Sequence, residues 1–386
     1  MKLSDKINRL ATSGTGELFS KVKEMEEKGI KILSLVPGDP DFIIHKDIQE
    51  TAVKAIKTDT SYTNIPGTFK LRAAITEKLK KENNLKYIPE EIIISSGSKQ
   101  ILYMLFQSIL NKEDEVIIPS PYWTSYSGQI EAADGTPVEV NTENTNYIFT
   151  AKTFKEHITP KTKAVIINSP SNPTGKIIPK EELRKIGEIA VKNNIYIISD
   201  EAYEYFAYTK PVVSIASLSE DIYKQTFTIQ SCSKSFAMSG FRIGYMAGNR
   251  KIIEAMTKLQ SQINSCPSSI SQAAAIKAMR LGKENHKEVL KTFRKRAELT
   301  KKLIDNTKLT MEDVEGAFYA WINIENCLNK TIKNSKDFCN FVLEKKHVAI
   351  VPGSAFGKYG EKHIRISLTN NMEKIEEGIQ KISELL

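Results

Sequence analysis

The stretch Ser231-Cys232-Ser233-Lys234-Ser235-Phe236-Ala237-Met238-Ser239-Gly240-Phe241-Arg242-Ile243-Gly244-Tyr245 decides how the rest of the chain is read. It follows Thr226-Phe227-Thr228-Ile229-Gln230, an alternating run that predicts a strand leaving a sheet. Lys234 then stands just past a strand end among small residues. Gly240 and Gly244 permit close backbone approach, so the ammonium is expected beside a ligand rather than in bulk solvent. Arg242 lies further along the loop, at the start of a predicted strand over 241–247, where a guanidinium can clamp a dianionic phosphate bidentately. A lysine suited to a Schiff base and an arginine suited to a phosphate thus share one loop. Alone this is a weak signal, because a chain with 55 Lys and Arg ordinarily makes such a loop a solvated one.

Outward from that loop the same pattern of apolar strand, polar loop and helix recurs. Residues 92–94 lead through Ser95-Ser96-Gly97-Ser98-Lys99 into a predicted helix over 100–110, an arrangement that turns unpaired N–H groups and the helix dipole toward an anion. It is neither a P-loop nor a dinucleotide fingerprint, since no Gly-Lys pair is followed by Ser or Thr. A strand over 116–118 ends at Pro119-Ser120-Pro121-Tyr122-Trp123, placing one of two tryptophans where it can stack on a planar ligand or pack its own loop. A strand over 164–167 ends in Asn168-Ser169-Pro170-Ser171-Asn172-Pro173, with Asn172 fixed by the proline that follows and the bond between them open to the cis form. After the helix predicted over 180–193, a strand over 195–198 ends in Ser199-Asp200-Glu201-Ala202-Tyr203. An acid straight after an apolar strand is partly buried, so Asp200 needs a cation.

Near the start, helices are predicted over 3–10 and 17–28, then a strand over 32–36 that runs into Pro37-Gly38-Asp39, where Gly38 can offer a bare N–H to an anion. Helices over 47–57 and 69–81 flank Ser61-Tyr62-Thr63, a polar turn with a lone tyrosine. Strands alternating with helices and apolar on both faces predict an α/β fold, a parallel sheet covered on each side, with its ligands gathered at the carboxyl ends of the strands. Beyond residue 251 the alternation stops. Helical spacing dominates 270–306, and strands over 317–324, 347–351 and 363–368 predict a smaller α+β unit. Arg365 sits between Ile364 and Ile366 and so faces away from them, either to solvent or into a cleft between domains.

A length of 386 residues suits two domains, here 46–284 as a large cofactor-binding domain and 1–45 with 285–386 as a smaller one carrying an N-terminal arm. The net charge of +9 is scattered without a block of like charges, and the basic segment 291–302 has apolar residues at helical spacing. That reads as a solvated helix face rather than a nucleic-acid patch. Four cysteines without a CxxC pair, none at ligand spacing from a histidine, imply a reducing cytoplasm and no metal site. Neither a secretory leader nor a membrane-length apolar run is present.

With these residues assembled, the chain resembles the class I and II aminotransferases of the pyridoxal phosphate fold type I, and most of all their bacterial aspartate aminotransferase subgroup, over nearly its whole length. The resemblance implies a mostly parallel seven-stranded sheet flanked by helices, plus a smaller α+β domain. In that family the motif 233–245 carries the cofactor lysine, so Lys234 would bind pyridoxal 5′-phosphate covalently. Ser231, Ser233 and Arg242 would hold the phosphate with Gly97, Ser98 and Lys99. Asp200 would pair with the pyridinium nitrogen and so receive its cation, while Tyr203 and Asn172 would bond the ring oxygen and Trp123 would stack on the ring. Tyr62 would reach the phosphate of a neighbouring subunit, making the protein a homodimer with shared sites. Arg365 would fork onto the substrate α-carboxylate, helped by Gly38, Asn172 and Trp123. Catalysis would rest on Lys234, Asp200 and Tyr203, moving an amino group from L-aspartate to 2-oxoglutarate. Thr15 and Gln107 stand near where the subgroup contacts the second carboxylate of such a substrate. The alternatives are an aminotransferase for aromatic or other amino acids, a C–S lyase of the same fold, and a non-enzymatic regulator.

Overall fold

The computed structural model describes residues 2–10 and 16–386. Leu33–Ser34 (β1) is a short strand. Seven more form the main sheet: Ile92–Ser95 (β2), Glu115–Ser120 (β3), Thr136–Asn141 (β4), Thr162–Asn168 (β5), Tyr196–Asp200 (β6), Thr226–Ser231 (β7) and Gly244–Ala247 (β8). Thr310–Met311 (β9), Tyr319–Asn323 (β10), Val348–Ala349 (β11), Val351–Pro352 (β12) and His363–Ser367 (β13) follow. The main sheet has the order β2-β8-β7-β6-β5-β3-β4, parallel throughout except for β8, which runs against both neighbours.

Successive residues of a strand point to opposite faces, and here both faces are covered, so the strands need apolar residues at every position. Ile93, Ile118 and Ile198 go to one face, against Leu102, Leu105 and Phe106 of the helix Ser98–Ile109 and Met256 of Arg250–Ile263. Ile92 and Ile94 go to the other, against Leu71, Ile75 and Leu79 of Phe69–Asn83 and Ala274, Ala275 and Ala278 of Ser269–Leu281. Further along that face, Ile117, Val165 and Ile197 meet Leu183 and Ile186 of Lys180–Lys192. Burying a side chain of this size is worth about 1.5–3 kcal/mol, which is why a run such as Ile92-Ile93-Ile94 settles between layers.

The smaller sheet has the order β12-β13-β10-β9, all antiparallel, and β1 pairs in parallel with β11. Ile364 and Ile366 of β13 join Phe293, Phe338 and Ile375 in one core, to which the segment after β6 adds Tyr203 and Phe206. Arg365, between those isoleucines, is paired with Trp321 and buried on the opposite face.

Several expectations shift in detail. The strand expected over 241–247 begins only at Gly244, because Ser239–Phe241 forms a 3-10 turn and Arg242 adopts a positive φ of 53°. The helical stretch 270–306 is two helices, Ser269–Leu281 and Lys287–Ile304, broken where Gly282 takes φ 60°. The strand over 347–351 divides at Ile350 into β11 and β12, which pair with different sheets. At the N-terminus the helix is Asp5–Arg9, shorter than 3–10. Among the described residues no helix is long and apolar enough to cross a membrane.

Candidate active site

A cavity of about 490 Å³ opens at the carboxyl ends of the main strands and is walled on its far side by β13 and β10. Its lining takes in Gly38, Ser98, Lys99, Trp123, Asn172, Asp200, Tyr203, Ser231, Ser233, Lys234, Arg242 and Arg365, so residues far apart in sequence meet at one place.

The first part of the site is a cup for an anion. The helix Ser98–Ile109 starts from Gly97, which has φ 90° and gives no side-chain cap to the leading N–H groups, and its first residues Ser98 and Lys99 line the cavity, a helix start suited to an anion. A Cβ on Gly97 would come within 2.6 Å of an Arg242 guanidinium nitrogen, and one on Gly244 within 2.3 Å of the Ser98 nitrogen, which is why both positions carry glycine. Arg242 donates to the Ser239 carbonyl at 2.8 Å and to the Ser96 carbonyl at 3.4 Å, fixing its fork beside the helix start. The Ser231 hydroxyl accepts the Ser233 N–H at 3.2 Å. Burial, then Arg242 and Lys234, push the Lys99 pKa down, as expected where three cations stand close together.

The second part is an amine and a buried acid that line the same cavity. Lys234, on the short helix Cys232–Ser235 after β7, donates to the Gly38 carbonyl at 2.7 Å and lies 3.3 Å from an Asp39 oxygen. Asp200, the last residue of β6, is buried and accepts from the Tyr126 hydroxyl at 2.6 Å and from the Ala202 N–H at 3.1 Å. Burial pushes its pKa up against those two hydrogen bonds. Among the described residues no Lys, Arg or His makes an ion pair with it. Tyr203 hydroxyl meets the Asn172 amide at 3.5 Å and the Tyr319 hydroxyl at 3.1 Å. Trp123 lies edge-on to Tyr126, with the Lys99 ammonium 5.1 Å from its ring centre.

The third part is a guanidinium on the far wall. Arg365 donates to the Asn172 side-chain oxygen at 3.2 Å and to the Val36 carbonyl at 2.9 Å, while the rings of Tyr319 and Phe356 lie 4.3 and 4.9 Å from its central carbon. Among the described residues its Nε has no partner. Of the two placements open to it in the sequence, the cleft is the one realised.

Three residues named from the sequence stand elsewhere. Gln107 is a correction: it is most of the helix Ser98–Ile109 away from the cup, and its amide donates to the Ala132 carbonyl at 2.9 Å, so it does not line the cavity. Tyr62 is 89 % exposed and outside the cavity of its own chain. Thr15 lies outside the described residues. Conversely, Tyr126, Asp39, Tyr319 and Phe19, which carry no role in the reading from sequence, all line the cavity. Tyr126 was findable, since it follows Trp123 by three residues, the spacing that brings side chains to one side of a helical turn. Among the described residues no group of three or more His, Cys, Asp and Glu is arranged to hold a metal ion.

Known proteins resemble the chain in both sequence and fold. The family model for aminotransferase class I and II matches residues 30–382. An aspartate aminotransferase of Bacillus sp. (strain YM-2) is 43 % identical, the match covering 100 % of this chain and 99 % of that one. A probable aspartate/prephenate aminotransferase of Rickettsia bellii is 40 % identical over 97 % of this chain and 96 % of its own. The crystal structure of the aspartate aminotransferase from Rhizobium meliloti superposes with a TM-score of 0.95 at 35 % identity, covering 100 % of this chain and 98 % of that chain. With the family model spanning nearly the whole chain, the protein belongs to the class I and II aminotransferases.

Proposed function

We propose that this aminotransferase moves the amino group of L-aspartate to 2-oxoglutarate, giving oxaloacetate and L-glutamate, with pyridoxal 5′-phosphate as its cofactor. The observation that carries the reading is the buried Asp200 carboxylate, which has no cation among the described residues and shares its cavity with an amine and an anion cup. A pyridinium nitrogen at Asp200, a phosphate at the cup and an aldehyde at Lys234 match those three features. When bound, that cofactor supplies an aldehyde carbon that takes up the amino group and a ring that accepts the electron pair left at the substrate Cα.

The chain's own groups do the rest. Arg242, Ser231, Ser233 and the N–H groups that follow Gly97 would hold the phosphate, and Trp123 would bound the ring on one side. Asp200, fixed by the Tyr126 hydroxyl, would keep a proton on the ring nitrogen, while Tyr203 and Asn172, which meet at 3.5 Å, would bond the ring oxygen. Lys234 would hold the aldehyde when the cofactor is bound, and its amine would be the group that moves a proton between the substrate Cα and its own Nζ. Arg365 is aimed by Asn172 and Val36 so that it can fork onto the α-carboxylate. Four cations line the described cavity; with Lys234, Arg242 and Arg365 so engaged, Lys99, which the family resemblance assigns to the phosphate, is here given instead to the second carboxylate of aspartate.

Tyr62 would complete the site of a second subunit, and the exposed Ile43, Val53, Ile56 and Phe69 suit a surface covered by that partner. A dimer in sedimentation is expected. The division into 46–284 and the remainder is supported by the seven-stranded sheet lying wholly within the first part and the two smaller sheets within the second, and four free cysteines suit a reducing cytoplasm. The test is a steady-state panel of amino acids with 2-oxoglutarate. Aspartate is expected to lead; aromatic or alanine turnover well above it would sink the substrate assignment, and pyruvate with ammonia released in the absence of an oxo acid would mark a lyase instead.

A further inference from the structure

Under the cavity floor, on the sheet face covered by Phe69–Asn83 and Ser269–Leu281, lies a buried polar cluster that none of the roles above uses. At its centre is Gln230 of β7, 1 % exposed. Its side-chain oxygen accepts from the Lys78 ammonium at 2.7 Å and the Tyr245 hydroxyl at 2.5 Å, and its amide donates to Glu201 and to Glu204, each at 2.9 Å. Every donor and acceptor of the amide is thereby taken. Lys78 also bonds Glu204 and, at 3.0 Å, Asn83, while Glu201 accepts from Ser199 at 2.9 Å and Ser214 at 2.6 Å.

This is a costly choice for an interior strand position on the sheet face that carries the apolar core of Leu79, Ile94 and Ala247, since buried charges and amides are tolerated only when fully bonded. Its location suggests what the cost secures. Gln230 immediately precedes Ser231, and Glu201 immediately follows Asp200. The Glu201 N–H donates to the Ile229 carbonyl at 2.8 Å, so the Gln230–Glu201 side-chain bond closes a second link across the same two strand ends.

We propose that Gln230 is a positioning residue: clamped by Lys78, Tyr245, Glu201 and Glu204, it sets the ends of β6 and β7 relative to each other, and so the spacing between the Asp200 carboxylate and the turn from Ser231 to Lys234. The inference rests on the reading that those groups engage one cofactor. Its test uses the holoenzyme and two variants, Gln230→Met, which keeps the length and removes all four bonds, and Tyr245→Phe, which removes one. For each, pyridoxal 5′-phosphate affinity, the pH midpoint of the bound cofactor's absorbance and the thermal midpoint are measured.

Gln230→Met is expected to weaken cofactor binding by about 10-fold and to move the absorbance midpoint, and Tyr245→Phe to shift both in the same direction by a smaller amount, about 3-fold in affinity. A lowered thermal midpoint with unchanged affinity and absorbance would mean the cluster only stabilises the fold, and would overturn the proposal. Should Gln230→Met fail to fold, Tyr245→Phe decides alone: a shift supports the proposal and no shift overturns it. A parent protein that binds no pyridoxal 5′-phosphate would remove the functional reading and this inference together; a parent that binds it beside variants that match it removes this inference only.

Discussion

The two walls of the cavity are built by opposite means. The wall on the main sheet takes Ser231, Ser233, Lys234 and Arg242 from one continuous loop and adds the helix start after Gly97. The opposite wall takes Arg365 from β13, the Val36 carbonyl from the segment after β1, and the rings of Tyr319 and Phe356 from two further places. The first is a local device, in which backbone turns and small residues fix the chemistry. The second exists only after strands have paired, so its guanidinium has meaning through partners distant in sequence. The first wall should therefore govern whether reaction occurs at all, and the second which molecule is accepted.

Lys234→Ala gives the largest expected effect, a fall in kcat of about 10⁴-fold, because the proton at Cα loses its carrier. Borohydride treatment of the parent with pyridoxal 5′-phosphate, followed by peptide mapping, should mark Lys234 and no other residue. A variant within tenfold of the parent would erase the distinction between the walls. Arg365→Lys keeps the charge but loses the fork, and is expected to lower kcat/KM by about 100-fold with cofactor affinity unchanged; equal damage to both quantities would show that the walls do not act separately. Lys99→Met should raise KM for aspartate by about 10-fold while sparing aromatic substrates, since only a dicarboxylate uses its charge. A uniform loss across the panel would assign Lys99 to the phosphate instead.

The smallest effect on activity, and one confined to the far wall, concerns His363. Burial pushes its pKa down to about 4, with Glu325 pulling it up and Lys362 adding to the depression, and its ring stacks on Trp321 while bonding the Tyr147 hydroxyl at 2.7 Å. The unfolded chain, with an ordinary value of about 6.5, takes up this proton first as pH falls. Stability from neutral His363 is thus complete above about pH 6.5 and declines as pH drops toward 4, by roughly 3 kcal/mol across the window. Denaturant unfolding at pH 7 and pH 5 should show a smaller difference for His363→Phe than for the parent; an equal difference would place the acid sensitivity elsewhere.

How far the sequence carried follows the same divide. Fully apolar runs such as Ile92-Ile93-Ile94 announced strands buried on both faces, and a lysine among serines and glycines announced its loop, because those signals are local. β4 gave no such signal: Pro137 and Glu139 interrupt it, as an edge position allows, and pairing with β3 supplies what the pattern lacks. Arg365 could be assigned a face of its strand but not what that face looks onto, which is decided by Asn172 and Val36. Gln107 shares its helix with the cup but not its place, since at a rise of about 1.5 Å per residue it ends far from the helix start. The Gln230 cluster draws on Lys78, Glu201, Glu204 and Tyr245, four positions that no periodicity links.

The reversed direction of β8 has a mechanical corollary. Because it runs against β7, its beginning lies at the rim where β7 ends, and the two are paired from Ser231 opposite Gly244 to Thr228 opposite Ala247. The residues proposed to seize the aldehyde and the phosphate therefore hang from the two legs of a single stiff bracket. A swing of the Arg365 wall toward a newly arrived substrate would leave the gap between those two handles untouched. A lineage carrying this bracket could refit the opposite wall to new guests without having to learn its grip again.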